Sequence, residues 1–271
     1  MYLQVLIPTF EKTKEQLLLL CDSLNLQTDA LIANQNGEKE EYSFEFRGHT
    51  VQVICTDTIG VSINRNILLK NSSGILNIML DDDCRLVDNY EKIVISFFDK
   101  FSCDFALFNG IYKKENDRLV HNKKTKRIHY FFQVSYGGGP GFCFKKDKLL
   151  MLNLSYNEKV GTPNYVCAGE DSLFYFGLVT KKVNFVRSSV VLFEILNSKD
   201  ASSYFSGVNE QYVTTRGFII KKIHPNLFLL YKIKHCLRFK KENRSLKLKN
   251  LFKWFDNGKK LLRSSNESTI H

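Results

Sequence analysis

Apolar residues follow two different spacings along the first hundred positions. Short continuous apolar runs predict buried β-strands over 2–7, 30–34, 50–55 and 74–80. Between these runs, apolar residues recur every three or four positions and predict helices over 13–26, 62–71 and 89–101. Strands that alternate with helices indicate an α/β fold in which helices cover both faces of a mostly parallel sheet.

Two local signals predict where elements begin and end. Pro8 follows the first apolar run and is predicted to end that strand, because proline has no N–H to donate to a sheet. Ser62 precedes the second helical pattern and is predicted to cap that helix.

Three consecutive carboxylates follow the fourth strand. In the stretch IMLDDDC at 78–84, the apolar run stops at Asp81, Asp82 and Asp83. At about 3.3 Å of rise per residue these side chains fall within about 7 Å of one another, so their charges repel. Either a bound cation or the solvent around a surface loop would offset this repulsion.

The triplet is one of four polar segments at predicted strand ends. In parallel α/β sheets, ligands bind beyond the carboxyl ends of the strands. We therefore expect one crevice to be lined by the segments that end the four strands, which are Pro8-Thr9, Asn34-Gln35, Asp57-Thr58 and Asp81–Asp83.

An Asp-x-Asp pair at this position suits a hard divalent cation. Mg²⁺ and Mn²⁺ take oxygen ligands, and proteins hold them with one or two carboxylates while substrate phosphates and water complete the shell. Asp81 and Asp83 supply such a pair. The expected cofactor is Mn²⁺ or Mg²⁺.

Two further segments carry candidate chemistry. Arg65 lies on the predicted helix before the acidic strand, where it can contact a phosphate, pair with an Asp of the triplet or simply face solvent. Glu170 and Asp171 begin an apolar helical stretch. Acids there are favoured by the helix dipole, and a carboxylate so placed can also act as a general base.

Charge is distributed unevenly along the 271 residues, whose net charge is +11. Residues 1–216 contain 25 basic and 25 acidic side chains, whereas 217–263 contain 14 basic side chains against Glu242 and Asp256. The composition therefore predicts a neutral body over 1–216 and a basic C-terminal region over 217–271.

Other features of the composition exclude several classes of protein. The seven cysteines are odd in number, scattered and without a C-x-x-C pair, which indicates a reducing cytosolic compartment rather than a disulfide framework. The N-terminal segment has no basic region before its short apolar run, so no signal peptide is expected. No apolar stretch approaches the length of a transmembrane helix.

Taken in order, the motifs resemble those of family 2 glycosyltransferases of the GT-A type, in particular the enzymes of bacterial capsule, exopolysaccharide and O-antigen assembly. The resemblance covers about residues 2–216 and rests on VLIPTF (5–10), S-x-x-R-N (62–66), LDDD (80–83), GGGPGF (137–142), GEDS (169–172) and SSYFSGVNEQYVTTRG (202–217).

The resemblance implies roles for individual residues. It implies that Asp81 and Asp83 bind the metal and the nucleotide, and that Asp171 is the catalytic base with Glu170 beside it. The remaining nucleotide-sugar contacts that it implies are Pro8, Thr9, Asn34, Arg65 and Asp82, and the glycines assigned to the sugar or acceptor side are Gly138, Gly139 and Gly169. Close backbone approach to a ligand explains the glycines, although a tight hairpin turn explains the 137–142 loop equally well.

The implied reaction is an inverting transfer of one sugar from a nucleoside-diphosphate sugar, with a UDP-sugar as the expected donor. Many relatives carry an Asp at the end of the second strand for the nucleobase, whereas this chain has Asn34-Gln35-Asn36. The Gln-x-x-Arg-Trp motif of processive synthases is also missing, which favours a single transfer over polymerisation.

Two other classes of function remain as alternatives. A sugar nucleotidyltransferase shares the alternation of strands and helices, but it needs a glycine-rich phosphate loop after the first strand, where this chain has PTFEKTKEQ. A non-enzymatic protein could use the basic tail to bind a membrane or nucleic acid. The neutral body with its acidic cluster argues against nucleic acid as a partner.

The tail mixes apolar and basic residues at helical spacing. Leu248, Leu251, Phe252 and Phe255 fall on one helix face with lysines elsewhere. Basic amphipathic helices of this kind lie in membrane interfaces, so 218–262 is predicted to hold a cytoplasmic enzyme at the inner face of the cell membrane, near a lipid-linked glycan acceptor. The alternative is that this face packs on the catalytic body or on a second subunit, which would give a homodimer.

Overall fold

The computed structural model describes residues 2–116, 118–120, 124–129, 139–196 and 207–267, and it shows an α/β body followed by a helical tail. The strands are β1 (Leu3–Phe10), β2 (Asp29–Gln35), β3 (Glu40–Phe46), β4 (His49–Thr56), β5 (Leu76–Met79), β6 (Cys84–Leu86), β7 (Phe105–Tyr112), β8 (Arg118–Leu119), β9 (Lys126–Arg127), β10 (Phe142–Lys145) and β11 (Phe185–Ile195). The α-helices are α1 (Lys14–Ser23), α2 (Val61–Asn71), α3 (Tyr90–Phe101), α4 (Lys146–Leu152), α5 (Glu170–Thr180), α6 (Glu210–Ile223), α7 (Phe228–Glu242) and α8 (Leu248–Glu267).

The described strands form one mixed sheet in the order β3-β4-β2-β1-β5-β10-β7-β11-β6, with β8 beside β7 and β9 beside β11. The neighbours β4, β2, β1 and β5 all run parallel. The predicted parallel arrangement of the first four predicted strands is therefore correct. Their carboxyl ends meet at one edge of the sheet, which brings together the four polar segments that follow them.

Side chains on opposite faces of the sheet enter two separate cores. Along β1, Val5 and Ile7 pack with α1 and α3 on one face, whereas Leu6 packs with α2 and α5 on the other. All three side chains are fully buried. Burial on both faces explains why the central strands appear in the sequence as continuous apolar runs rather than as alternating ones.

Several element boundaries differ from the sequence-based predictions. Pro8 does not end β1; the strand continues to Phe10, with Pro8 opposite Ala33 of β2. Ser62 does not cap α2, whose N-cap is Gly60; the Ser62 hydroxyl instead donates a 2.5 Å hydrogen bond to the Val160 carbonyl oxygen. In both places a tertiary contact overrides a local preference.

The edge strand β3 was missed. Its residues alternate, with Tyr42, Phe44 and Phe46 packed against the core and charged or polar side chains between them facing solvent. This period of two is typical of an antiparallel strand with one solvated face. It is the sequence pattern from which β3 could have been predicted.

The tail folds against the body through α6, and the predicted boundary at 216 falls inside that helix. Phe218, Ile219 and Ile223 of α6 belong to the core shared with α2 and α5. The opposite face of α6 packs on α7 and α8 through Val213 and Ile220.

The apolar face of α8 is covered by protein. Leu251 and Phe255 are fully buried in a cluster with α6 and α7, and Leu248 and Phe252 pack against the same cluster. The prediction that this face lies on lipid is therefore wrong. The face packs on α7 and on α6, so the alternative that it packs on the body is correct for α6, which shares the core of the body.

Two glycines allow α6 and α8 to touch backbone to backbone. A Cβ at Gly217 would overlap the Phe255 carbonyl oxygen, and a Cβ at Gly258 would overlap the Thr214 carbonyl oxygen. The Thr214 hydroxyl also donates a hydrogen bond of 3.1 Å to the Trp254 carbonyl oxygen.

All seven cysteines are free and buried. Burial raises the pKa of Cys21, Cys103 and Cys236 to about 11 in each case. Among the described residues, no helix combines the length and the hydrophobicity that a membrane span requires.

Candidate active site

Side chains at the carboxyl ends of the parallel strands bond to one another. The Thr9 hydroxyl donates to Asp82 Oδ2 at 2.6 Å, which ties the end of β1 to the acidic triplet after β5. The Asn64 amide of α2 donates to the Thr9 and Ala33 carbonyl oxygens, each at 3.0 Å. Gln35 at the end of β2 exchanges two hydrogen bonds of 3.2 Å with the backbone of Gly60. The predicted crevice is thus a set of loops held in fixed positions.

Arg65 lies at the centre of a carboxylate cluster. Its Nη2 is 3.0 Å from Asp81 Oδ1, and its Nη1 is 3.0 Å from both Glu170 Oε1 and Asp171 Oδ1. Only 5% of the Arg65 side chain is exposed. One buried guanidinium therefore joins the acidic triplet to the GEDS segment, about 90 residues further along the chain.

The start of α5 fixes Glu170 and Asp171 in this cluster. Gly169 is the N-cap of α5 with φ of +100°, a conformation that side chains rarely adopt, and both acids fall in the first turn. The positive end of the helix dipole favours carboxylates there. The remaining oxygen of Glu170, Oε2, is buried and has no hydrogen-bond partner within the described part of the chain, so the cluster keeps an unused acceptor.

Burial in the cluster has different consequences for the pKa of Asp171 and the pKa of Arg65. Burial raises the pKa of Asp171 to about 8; Arg65 opposes this shift, and the charges of Glu170 and Asp81 reinforce it. Burial alone would lower the pKa of Arg65, but Asp171 and Asp81 hold it well above its ordinary value. The guanidinium stays charged, and the raised pKa of Asp171 brings that carboxyl into the range in which a general base is most effective.

Tyr156 is a site residue that the sequence did not reveal. Its ring is buried, stacks on Phe174 of α5 with 4.3 Å between ring centroids, and faces the Arg65 guanidinium at 5.6 Å from ring centroid to Cζ. Burial, with Asp171 beside it, raises the pKa of the Tyr156 hydroxyl well above its ordinary value. Tyr156 therefore closes the apolar side of the cluster as a neutral aromatic.

The three glycines assigned to the sugar or acceptor side have different surroundings. A Cβ at Gly139 would lie 2.8 Å from Arg65 Nη2 and 3.0 Å from Asp171 Oδ1, so this loop approaches the cluster directly. A Cβ at Gly169 would meet Ile219 of α6 instead, which gives this glycine a packing role. Gly138 lies outside the described residues.

The acidic triplet forms the turn between β5 and β6, and its members are partly exposed. Asp81 pairs with Arg65, and Asp82 lies 3.9 Å from Lys12 Nζ as well as bonding to Thr9. Asp83 accepts a 3.6 Å contact from the Cys84 thiol. In the described ranges no three His, Cys, Asp or Glu side chains form a metal-binding group. The two carboxylates of Asp81 and Asp83 fit a hard cation only if substrate phosphates complete its shell.

Two predicted nucleotide contacts are already engaged by the protein. Pro8 is buried within β1. Asn34 is 1% exposed, and its amide bonds to both the N–H and the carbonyl oxygen of Lys12, at 3.2 and 2.8 Å. In the structure, Asn34 therefore positions the loop after β1.

A cleft of about 460 Å³ opens beside that loop. Lys12, Lys14, Asn36 and Tyr42 are among the residues that line it. The Lys14 ammonium lies 4.4 Å from the centre of the Tyr42 ring. Lys12 lines the cleft and also lies 3.9 Å from Asp82, so one lysine borders both the cleft and the acidic triplet.

No protein-family model and no curated protein matches the sequence. Solved structures do match, among them crystal structures of S. aureus TarS. TarS 1–349 in complex with UDP-GlcNAc is 13% identical with a TM-score of 0.61, and the match covers 99% of this chain and 92% of that chain. Another structure of TarS 1–349 is 14% identical with a TM-score of 0.59, covering 100% and 93% of the two chains.

A longer TarS chain is 16% identical with a TM-score of 0.57, and the match covers 83% of this chain but 40% of that one. The present chain thus corresponds to less than half of the longer TarS chain. Identities this low concern the fold alone. The chain has the α/β fold of the GT-A type that its sequence predicted, with the carboxylate cluster at the carboxyl ends of the parallel strands.

Proposed function

We propose that this protein is a glycosyltransferase that moves a single sugar from a nucleoside-diphosphate sugar to a hydroxyl of a glycan acceptor, with inversion at the anomeric carbon. The observation that carries the proposal is the buried cluster in which Arg65 joins Asp81 to Glu170 and Asp171. The fold supports it, because TarS structures with this fold hold UDP or UDP-GlcNAc.

Asp171 is the proposed general base. It takes the proton from the acceptor hydroxyl as the hydroxyl oxygen attacks the anomeric carbon from the side opposite the leaving diphosphate. A base works best with a pKa near the operating pH, and the pKa of about 8 for Asp171 meets that requirement. Arg65, which also binds Glu170, holds the Asp171 carboxyl in place at the head of α5.

Asp81 and Asp83 are the proposed ligands of Mn²⁺ or Mg²⁺. When bound, such an ion stabilises the negative charge that develops on the departing diphosphate. The partial exposure of both side chains leaves them accessible to an ion that a diphosphate also coordinates. Thr9 holds Asp82, the middle member of the turn, and so keeps the turn against the end of β1.

The cleft beside the loop after β1 is the proposed place of the nucleobase. Asn36 and Tyr42 line that cleft and offer an amide and an aromatic ring. Asn34, whose amide is committed to Lys12, would act indirectly by fixing the loop. A UDP-sugar is the proposed donor, in line with the nucleotides that TarS holds.

A lipid-linked glycan at the cytoplasmic face of a bacterial cell membrane is the proposed acceptor, which makes surface polysaccharide synthesis the setting. The basic tail supports this location, since 14 basic side chains lie between 217 and 263. An enzyme with such a tail would work as a peripheral membrane protein.

The test is release of UDP from UDP-GlcNAc and from a panel of other nucleotide sugars, with and without Mn²⁺ and with Asp171→Asn as the control. A thermal-shift series with UDP, GDP and CDP identifies the base, since a ligand that binds only the native state raises apparent stability. Metal-dependent UDP release that Asp171→Asn lacks is the expected result. A parent protein that neither binds a nucleoside diphosphate nor consumes any nucleotide sugar would refute the proposal.

A further inference from the structure

Helix α7 presents an apolar stripe to solvent. Its members are Leu229, Leu230, Ile233 and Leu237, which recur at intervals of three and four residues and so lie along one face of the helix. Their exposed fractions are 66% for Leu229, 63% for Leu230, 43% for Ile233 and 54% for Leu237. Leu227, just before the helix, is 48% exposed and extends the stripe. A row of exposed leucines and isoleucine of this length is a mark of a surface that contacts a partner.

The opposite face of α7 already has its partners. Phe228, His235, Cys236 and Phe239 are buried against α6 and α8. The buried contacts of the inner face therefore fix the orientation of the helix and leave the apolar stripe on its outer face exposed.

Basic side chains border the stripe. Lys234, Arg238 and Lys241 are exposed and project from the flank next to it, with Glu242 as the one acid on the helix. Arg238 pairs with Glu242 at 2.9 Å, which leaves two lysines on this flank beyond that ion pair. Apolar side chains in the middle and ammonium groups at the edge match a bilayer interface, where acyl chains lie below anionic headgroups.

We propose that α7 lies flat on an anionic membrane, with Leu229, Leu230, Ile233 and Leu237 inserted into the interface. The charges favour lipid over a second copy of the chain, because a two-fold contact through this stripe would bring two sets of the same basic flank together. This proposal rests on the peripheral membrane location proposed above and names the surface that contacts the membrane. It does not depend on the sugar-transfer reaction.

The experiment uses the full chain and vesicles of equimolar phosphatidylglycerol and phosphatidylcholine, with pure phosphatidylcholine vesicles for comparison. The stripe variant is Leu230→Ser, Ile233→Ser, Leu237→Ser. The matched control is Leu19→Ser, Leu150→Ser, Met151→Ser, which removes three apolar side chains that are 71%, 60% and 77% exposed elsewhere. A charge variant carries Lys234→Glu, Arg238→Glu, Lys241→Glu. Circular dichroism verifies that all variants fold, and a UDP thermal shift verifies donor binding separately.

The parent and the control should co-sediment with anionic vesicles at low salt, and the stripe and charge variants should each lose about ten-fold or more in affinity. Pure phosphatidylcholine should bind the parent weakly. The proposal is overturned if the stripe variant binds anionic vesicles like the parent, or if the parent ignores them. It is also overturned if the parent is a dimer that the stripe variant converts to monomer without any loss of vesicle binding. None of these results depends on whether UDP binds, so the two proposals fail separately.

Discussion

Arg65 has more carboxylate partners than one guanidinium can neutralise. Asp81, Glu170 and Asp171 all contact it, and both members of the GEDS pair are buried. The uncompensated negative charge in a low-dielectric site favours proton uptake. Burial is the main cause of the pKa of about 8 at Asp171; Arg65 opposes this shift, and the charges of Glu170 and Asp81 add to it.

Replacing Asp171 by Asn should leave UDP binding close to that of the parent and reduce sugar transfer by about 10²-fold or more, since the amide cannot accept the proton. For the parent, kcat/KM should rise with pH up to about 8, because only the ionised carboxylate acts as a base. Steady-state kinetics from about pH 5 to about pH 9 measure both effects. If Asp171→Asn retains near-parent transfer at saturating substrates, Glu170 becomes the candidate, and Glu170→Gln is the companion variant.

The same substitution should stabilise the fold above neutral pH. The pKa of Asp171 is about 8 in the native state, against an ordinary value of 3.8 for an aspartate in the unfolded chain, so the folded protein holds a proton that the unfolded chain has released. Stability therefore falls as pH rises from about 4 to about 8. Asp171→Asn removes this loss and should gain roughly 1 to 3 kcal/mol near pH 8 and almost nothing near pH 4. Urea unfolding at the two values measures the difference; an equal effect at both pH values would contradict the argument.

At the level of residues, carboxylates and the arginine could be predicted, and the groups that fix them could not. Asp81, Arg65 and Asp171 stand out because charged residues beside apolar runs are uncommon, and the structure brings them into contact. Tyr156 and Asn64 are held by long-range contacts. The Asn66 amide donates to the Tyr156 carbonyl oxygen, 90 positions away, and the Asn64 amide donates to the Thr9 carbonyl oxygen, 55 positions away. No local pattern distinguishes such a Tyr or Asn from one on the surface.

Helix α2 is tied to two strand ends by a single buried amide. Replacing Asn64 by Ala leaves the Thr9 and Ala33 carbonyl oxygens without that donor, and the expected loss of stability is about 1 to 3 kcal/mol. The crevice should also loosen, so the UDP thermal shift should shrink. Asn71→Ala is the control, since that exposed amide donates to the Ile67 carbonyl oxygen within its own helix. Equal stability of the two variants in urea would show that the clamp is dispensable.

The crossing of α6 and α8 depends on glycine. Gly258→Ala improves helix propensity by about 1 kcal/mol, yet the added methyl overlaps the Thr214 carbonyl oxygen, and overpacking costs about 1 to 3 kcal/mol. We expect a net loss of stability, and a similar one for Gly217→Ala. Gly48→Asn is the control: it has open space around its Cβ, and Asn tolerates the φ of +80° there. A Gly258→Ala protein more stable than the parent would mean that the helices can separate without cost.

At the level of elements, the sequence identified β1, β2, β4 and β5 and the helices α1, α2 and α3, because burial on both faces gives continuous apolar runs. The strands β7, β10 and β11, beyond the first hundred residues, were not predicted. The sequence also missed β3, whose three glutamates interrupt the apolar positions. It assigned the α8 apolar face to lipid because amphipathicity alone shows that a helix has a partner and does not show which one. The partner is α6, and the choice between the two depended on backbone contact at Gly217 and Gly258 that only the folded chain displays.

Over the whole molecule, α6 joins the catalytic body to the tail. One of its faces belongs to the core beneath α5, through Ile219, and the other packs on α7 and α8, through Ile220. A helix with core residues on both sides couples the two parts, so we expect body and tail to unfold together despite their different charge.

The sole tryptophan, Trp254, lies in α8 and reports on the tail alone. Urea unfolding followed by Trp254 fluorescence should coincide with unfolding followed by far-UV circular dichroism, which is dominated by the body. Two separated transitions would instead make the tail an independent domain with a boundary near 216. The Gly258→Ala variant serves as a comparison, because weakening the α6–α8 contact is the change most apt to separate the curves.

The seven buried thiols also provide a way to measure local opening of the native fold. A thiol reagent attacks thiolate, and burial raises the pKa of Cys21, Cys103 and Cys236 to about 11 while removing them from solvent. A reagent can therefore label these positions only when the chain opens, so the labelling rate measures how often the native state opens locally. Cys55 lines the cleft beside Asn36 and differs in its surroundings from the others. Mass spectrometry that resolves each cysteine would then time the opening of the body at Cys21 and of the tail at Cys236 within one unmodified chain.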